Sequence, residues 1–188
     1  MCDRKEGQGG SGSINLAALE SHRKLLQELA PRFDRGTLQV EKITEISGRV
    51  SVALEATDTK GETRAILVAV PQPIGVIAAR VTFARPARSA ARSPIRLRLS
   101  IFGAIGGTQD LLGEADISVD TRPETPVSHR ITAVEEVSGP GGTAFRKRID
   151  WGAFWNCAVS DCVYTCIFSR LACVGCLVTC AITSIVDD

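Results

Sequence analysis

Between Cys2 and Cys157 the chain contains no cysteine, so whatever folds there relies on its apolar core alone. Aromatic residues are scarce, 5% of the chain with a single Tyr, which removes the stacking platforms that single-stranded nucleic acid needs. Charge is nearly balanced at net +1, so no general field attracts polyanions or polycations. Histidine occurs twice, at His22 and His129, both far upstream of the clustered cysteines. No GxSxG, HExxH, P-loop or GxGxxG run is present. A cysteine nucleophile would want a positioned imidazole, and nothing in the sequence places either His beside one. The expectation is a non-enzyme with no catalytic residue, no cofactor, no metal site and no nucleic-acid partner. Met1 leads into CDRKEGQGGSGS, which lacks the apolar segment of a signal peptide.

What is present divides into five stretches. Residues 1–13 are polar and Gly/Ser-rich, the composition of a disordered tail. Residues 14–33 carry Leu16, Leu19, Leu25, Leu26, Leu29 and Phe33 at helical spacing. That predicts an amphipathic helix with Ser13 as its N-cap and Pro31 as its stop. Glu20–Lys24 and Glu28–Arg32 stand at i,i+4. The helix is expected to pack on the next domain; recognition by a maturation partner is the sharper alternative.

Residues 37–137 alternate apolar and polar with period two, as antiparallel strands with one wet face do. One such set is Val50, Val52, Leu54 and Ala56, and another is Ile77, Ala79, Val81 and Phe83. Then come Ile95, Leu97, Leu99 and Ile101; Ala115, Ile117 and Val119; and Val127, His129, Ile131 and Ala133. Breaks fall at Ser47–Gly48, Asp58–Gly61, Pro71–Gly75, Pro86–Pro94, Gly103–Gly113 and Thr121–Pro126. The pattern predicts a seven-stranded antiparallel β-sandwich or small barrel, able to fold without the rest. Pro73 and Pro86 flank the fourth strand, which points to a short or edge position. Six arginines lie between Arg80 and Arg98. If the strands near 95–102 and 113–120 form a hairpin, Arg96 and Arg98 face Glu114, Asp116 and Asp120, and cross-strand ion pairs explain them better than a nucleic-acid patch. Arg85, Arg88 and Arg92 remain a basic loop that could touch anionic lipid.

Residues 138–150 form a Gly-rich, basic linker. Gly141–Gly142 has the form of a double-glycine leader end, a candidate cleavage point against the plainer reading of a hinge. Arg146, Lys147 and Arg148 precede Trp151 and Trp155, a combination favoured at a membrane interface.

Residues 151–188 are the dense part. Cys157, Cys162, Cys166, Cys173, Cys176 and Cys180 are six of the seven cysteines, and Arg170 is the one charge between Asp161 and Asp187. Folded back near Ser169–Arg170, the cysteines pair in nested order: Cys166 with Cys173, Cys162 with Cys176, Cys157 with Cys180. Their position numbers sum to 339, 338 and 337, as level pairs on two antiparallel helices require. A Cys-rich helical hairpin stapled by disulfides follows. Six cysteines allow fifteen connectivities, and with no Gly or Pro at the turn a single unbroken helix stays open. The CxxC of Cys173 and Cys176 lacks a second pair at zinc spacing. Thioether cross-links to Ser160, Thr165, Ser169, Thr179 or Thr183 are the other alternative. The apolar residues beside the cysteines, among them Val163, Ile167, Phe168, Leu171, Val174, Leu177, Val178 and Ile182, would suit a membrane or a large core.

In these tail residues and in the order of its parts, the chain resembles the halocin-type Cys-rich bacteriocin precursors. The resemblance implies an N-terminal region, in some cases immunity-like, ahead of a short, hydrophobic, membrane-active peptide. It implies lipid and export or maturation machinery as partners, and a secreted or cell-surface location for the tail. The alternative is a non-enzymatic binding or structural protein whose β-domain engages a partner and whose tail docks or anchors it. Oligomeric state is left open.

Overall fold

The structure, a computed structural model, describes residues 15–85, 94–119, 129–135 and 147–187. Helix α1 spans Leu16–Leu29. The strands that follow are β1 (Leu38–Ile46), β2 (Arg49–Thr57), β3 (Thr63–Pro71), β4 (Val76–Phe83), β5 (Ile95–Ile105), β6 (Thr108–Val119) and β7 (His129–Glu135). They lie in one sheet in chain order, each antiparallel to the next. Then come β8 (Lys147–Ile149), α2 (Trp151–Phe168), α3 (Arg170–Thr183) and β9 (Ile185–Asp187), with β8 and β9 paired as a second small sheet.

The fold is mainly antiparallel β with a Cys-rich helical region at its C-terminal end. Among the described residues, however, no second large sheet packs on the first as in a sandwich. Helices supply the cover instead. On one face, Leu26 and Leu29 of α1 pack with Val52, Ala56, Ala65, Leu67, Ala69 and Ala78. Four of those six sheet residues are alanine, and short side chains let a helix settle close to the strands. On the other face, Ile66, Val68, Val70, Ile77, Val81, Leu97, Leu99 and Ile101 share a core with Phe154, Ala158, Val174, Leu177, Val178 and Ala181 of the helical hairpin. Covered on both sides, β3 has no wet face: every residue from Ala65 to Val70 is at most 1% exposed. Its run AILVAV reads as a doubly buried strand, which alternation alone does not reveal.

Several local expectations change. The α1 cap is Asn15, whose Oδ1 accepts from Ala18 N–H at 3.2 Å, and not Ser13, which lies outside the described residues. Glu20 pairs with Arg23 one turn on, and Arg23 also grips Glu41 of β1 with two bonds of 2.6 and 2.8 Å. That bidentate contact holds the Glu41 carboxyl below its usual range and ties α1 to the sheet. Strand β4 is not an edge: it sits between β3 and β5, and Pro73 falls in the preceding turn. The break expected over Gly103–Gly113 shrinks to Gly106–Gly107, both at positive φ, so β5 and β6 form a longer hairpin. Ser47–Gly48 makes the corresponding tight turn between β1 and β2.

The arginines are largely accounted for. Arg98 stands opposite Asp116 and binds it at 2.6 Å, which lowers the Asp116 pKa. Ser100 Oγ donates to Glu114 at 2.5 Å one pair along. Arg96 faces Ser118, while Asp120 lies outside the described residues, as do Arg88 and Arg92. Arg80 donates to the Leu29 carbonyl at the end of α1, a group with no intrahelical partner. Arg85 reaches Asp34 at 3.5 Å between exposed side chains, a contact worth little.

Because sheet and hairpin share one core, the sheet is not expected to be stable without its cover, contrary to the independence read from the sequence. Phe154, 0% exposed, is the largest fully buried side chain. Phe154→Ala should lower the unfolding free energy by about 3–5 kcal/mol. Urea melts followed by β-sheet and helix signals should shift together. A helix signal that moves alone would show two separate folding units.

Candidate functional site

The site is the hairpin of α2 and α3 and the sheet face beneath it. Asp150 starts α2, its carboxylate accepting from Ala153 N–H at 3.0 Å. Phe154, Ala158, Cys162 and Cys166 are buried at intervals of four, one stripe along the helix. The reversal needs one residue. Ser169 is extended at φ −157 and ψ 137, its N–H donates to the Thr165 carbonyl, and its Oγ accepts from Ala172 N–H at 3.3 Å. It thus ends α2 and caps α3. No glycine is needed, since such a backbone is open to any residue.

Three disulfides join the helices: Cys157–Cys180, Cys162–Cys176 and Cys166–Cys173, with Cα separations of 5.6, 5.6 and 4.1 Å. This is the nested ladder that the position sums require. Cys157 lies five residues before Cys162 and is only half-buried, whereas Cys162 and Cys166 are at most 3% exposed. Helical twist accounts for the difference, because five residues overshoot one turn. A loop of fifteen residues closed by one disulfide gains about 3 kcal/mol, and nested loops gain less than the sum. All six sulfurs are therefore committed to one another. The hydroxyls of Ser160, Thr165, Thr179 and Thr183 donate instead to carbonyls one turn back along their own helices.

Both ends of the hairpin are fastened. At the tip, the Arg170 guanidinium donates to the Thr63 carbonyl of β3 at 2.5 Å and lies over the Phe83 ring at 4.9 Å. The one charge within the hairpin is thus an anchor to the sheet. At the base, β8 and β9 pair, Lys147 meets Asp187 at 2.7 Å, and Asp150 N–H donates to the Ser184 carbonyl at 2.8 Å. The Lys147 ammonium holds the exposed Asp187 carboxyl below its ordinary range.

The residues expected at a membrane interface are arranged otherwise. Trp151 and Trp155 pack against the shared core, with the Trp151 ring edge-on to Phe154 at 5.3 Å. Arg148 lies opposite Val186 in the small sheet. Arg146 and the candidate cleavage residues Gly141 and Gly142 lie outside the described residues. The large apolar side chains that the hairpin does expose are Val159, Tyr164 and Phe168 on α2. Among the described residues no helix is long and apolar enough to cross a membrane. Of the two histidines, His22 is buried in α1, where loss of solvent lowers its pKa, and His129 belongs to β7; neither element carries a tail cysteine.

Comparison with family models, curated proteins and solved structures yields no match to this chain.

The Arg170 anchor escaped the sequence because a lone Arg in an apolar run reads as an interruption. Replacing it with Met keeps the apolar stem and removes the donor. Arg170→Met should cost about 1.5–3 kcal/mol, the range for hydrogen bonds to charged groups. Amide exchange should quicken first at the start of α3. No change in either quantity would mean that the contact does not secure the tip.

Proposed function

We propose that the chain is a carrier for a disulfide-stapled, apolar helical hairpin, and that the sheet masks the face by which the hairpin acts. The observation that supports it most is the burial of Phe154, Ala158, Val174, Leu177, Val178 and Ala181 against β-strand side chains. Such a surface, uncovered in water, would aggregate or enter lipid. Three cross-links keep the hairpin's shape once it leaves the sheet, which a forty-residue piece needs. On this account the protein is a non-enzymatic precursor of the halocin-like kind. Its hairpin is a membrane-active, antimicrobial peptide that works at or outside the cell surface. Export or maturation machinery cuts near Gly141–Gly142, and the sheet serves as the protective or immunity-like part.

A second function is favoured by the Arg170 contact and the β8–β9 clasp, which fasten the hairpin at both ends. A tail so held suits a binding or structural protein in which the hairpin never leaves. The two proposals differ in what release produces.

Dye leakage from anionic vesicles separates them. The intact oxidised chain should cause little leakage, and oxidised 143–188 should cause much more. Reduction or Cys162→Ser should abolish the peptide's effect. Leakage indifferent to reduction would contradict the stapled-hairpin mechanism. No leakage from the peptide in either state would favour permanent docking.

A further inference from the structure

The staples of the hairpin are not evenly spread. The Sγ atoms of Cys162, Cys176 and Cys180 lie within 4.8 Å of one another. Cys162 and Cys180, which are not bonded to each other, stand 3.7 Å apart. Cys157 is the bonded partner of Cys180, so four sulfurs from two disulfides gather in the middle of the hairpin. Cys166–Cys173 is the separate, tighter staple near the tip, with its Cα atoms 4.1 Å apart. We propose that in the reduced chain Cys162, Cys176 and Cys180, with Cys157 as fourth ligand, hold one zinc-class divalent ion.

The geometry needs little rearrangement. Zinc bound by four thiolates at about 2.3 Å has sulfur–sulfur edges of about 3.8 Å. The Cys162–Cys180 separation is already that edge. The two bonded pairs must open to the same spacing. Their Cα atoms stay 5.6 Å apart, and side-chain rotation can supply the opening. Cys176 and Cys180 stand one turn apart on α3, and Cys157 and Cys162 face them from α2. Four soft thiolates in a buried, tetrahedral arrangement suit zinc over magnesium or calcium. Cys157 is the half-open corner, with Asp161 Oδ2 3.9 Å from its sulfur, so the negative charge of the site faces solvent there.

What keeps the thiols in place after reduction is the bed under the hairpin. The Phe154, Val174, Leu177 and Val178 contacts, the Arg170 anchor and the β8–β9 pairing involve no sulfur. Reduction balances simply. Two equivalents of a dithiol each give two electrons and two protons to one disulfide and become cyclic disulfides, leaving four thiols. Binding of the ion then displaces the four thiol protons. Where dithiols keep cysteines reduced, the hairpin carries metal. A disulfide oxidant reverses the exchange, closing the two bonds as the ion leaves. The site stands whether or not the hairpin acts on membranes.

The test uses the full chain with Cys2→Ser, reduced by a dithiol and desalted without oxygen. Cobalt(II) should bind one to one and give the intense sulfur-to-metal bands of a tetrahedral thiolate site, which zinc then removes. The oxidised chain should show none. Cys166→Ser with Cys173→Ser should keep the one-to-one site. Cys162→Ser should weaken zinc binding by more than about 100-fold, beyond the loss typical of a supporting residue. Absence of the bands in the reduced chain overturns the proposal, whether helix content survives reduction or not. So does equal zinc affinity in Cys162→Ser.

Discussion

The structure depends on one contact: the apolar side of a two-helix hairpin against the apolar side of an antiparallel sheet. Each surface is unsuited to water by itself. Val68, Leu99 and Ile101 on the sheet and Val174, Leu177 and Val178 on α3 are all completely buried. Burial of apolar area at about 25 cal/mol per Å² is the dominant stabilising term in folding. The disulfides act on a different quantity. They limit the freedom of the unfolded hairpin and set which α3 residue stands level with which on α2, but they do not create the surface that docks.

Seen this way, the two halves of the chain have complementary compositions. The sheet gets by without cysteine because helices close both of its faces, a small-residue side for α1 and a bulkier side for the hairpin. The hairpin, short and nearly uncharged, has its inter-helix geometry held by sulfur and its orientation set by Arg170 at one end and Lys147–Asp187 at the other. A hairpin held in this manner can be stored in water with its apolar face hidden, which is the physical core of the carrier proposal.

Much of this was legible in the residues. The strands announced themselves through alternation, and the cysteine ladder through position sums, because both follow fixed geometric periods. The tertiary partner of each face was not legible. The sets led by Val52 and Ile77 look alike in sequence, yet one turns to α1 and the other to the hairpin. Period two says that a side chain alternates, not what meets it. β3 hid its double burial for the same reason. Ser169 also passed as an ordinary polar residue, since a helix can reverse through a single extended backbone unit without glycine or proline. Trp151 and Trp155 beside basic residues suggested a membrane edge, and in the fold their rings serve the protein core.

The claim that sheet and hairpin are one cooperative body is open to direct measurement by native-state hydrogen exchange on the oxidised chain. Amides of β3, between Ala65 and Val70, and of α3, between Val174 and Ala181, should exchange with the same opening free energy and the same denaturant dependence, equal to global unfolding. If the α3 amides instead exchange through a smaller opening that leaves β3 protected, the hairpin comes off the sheet as an independent unit and the shared core does not hold the fold together.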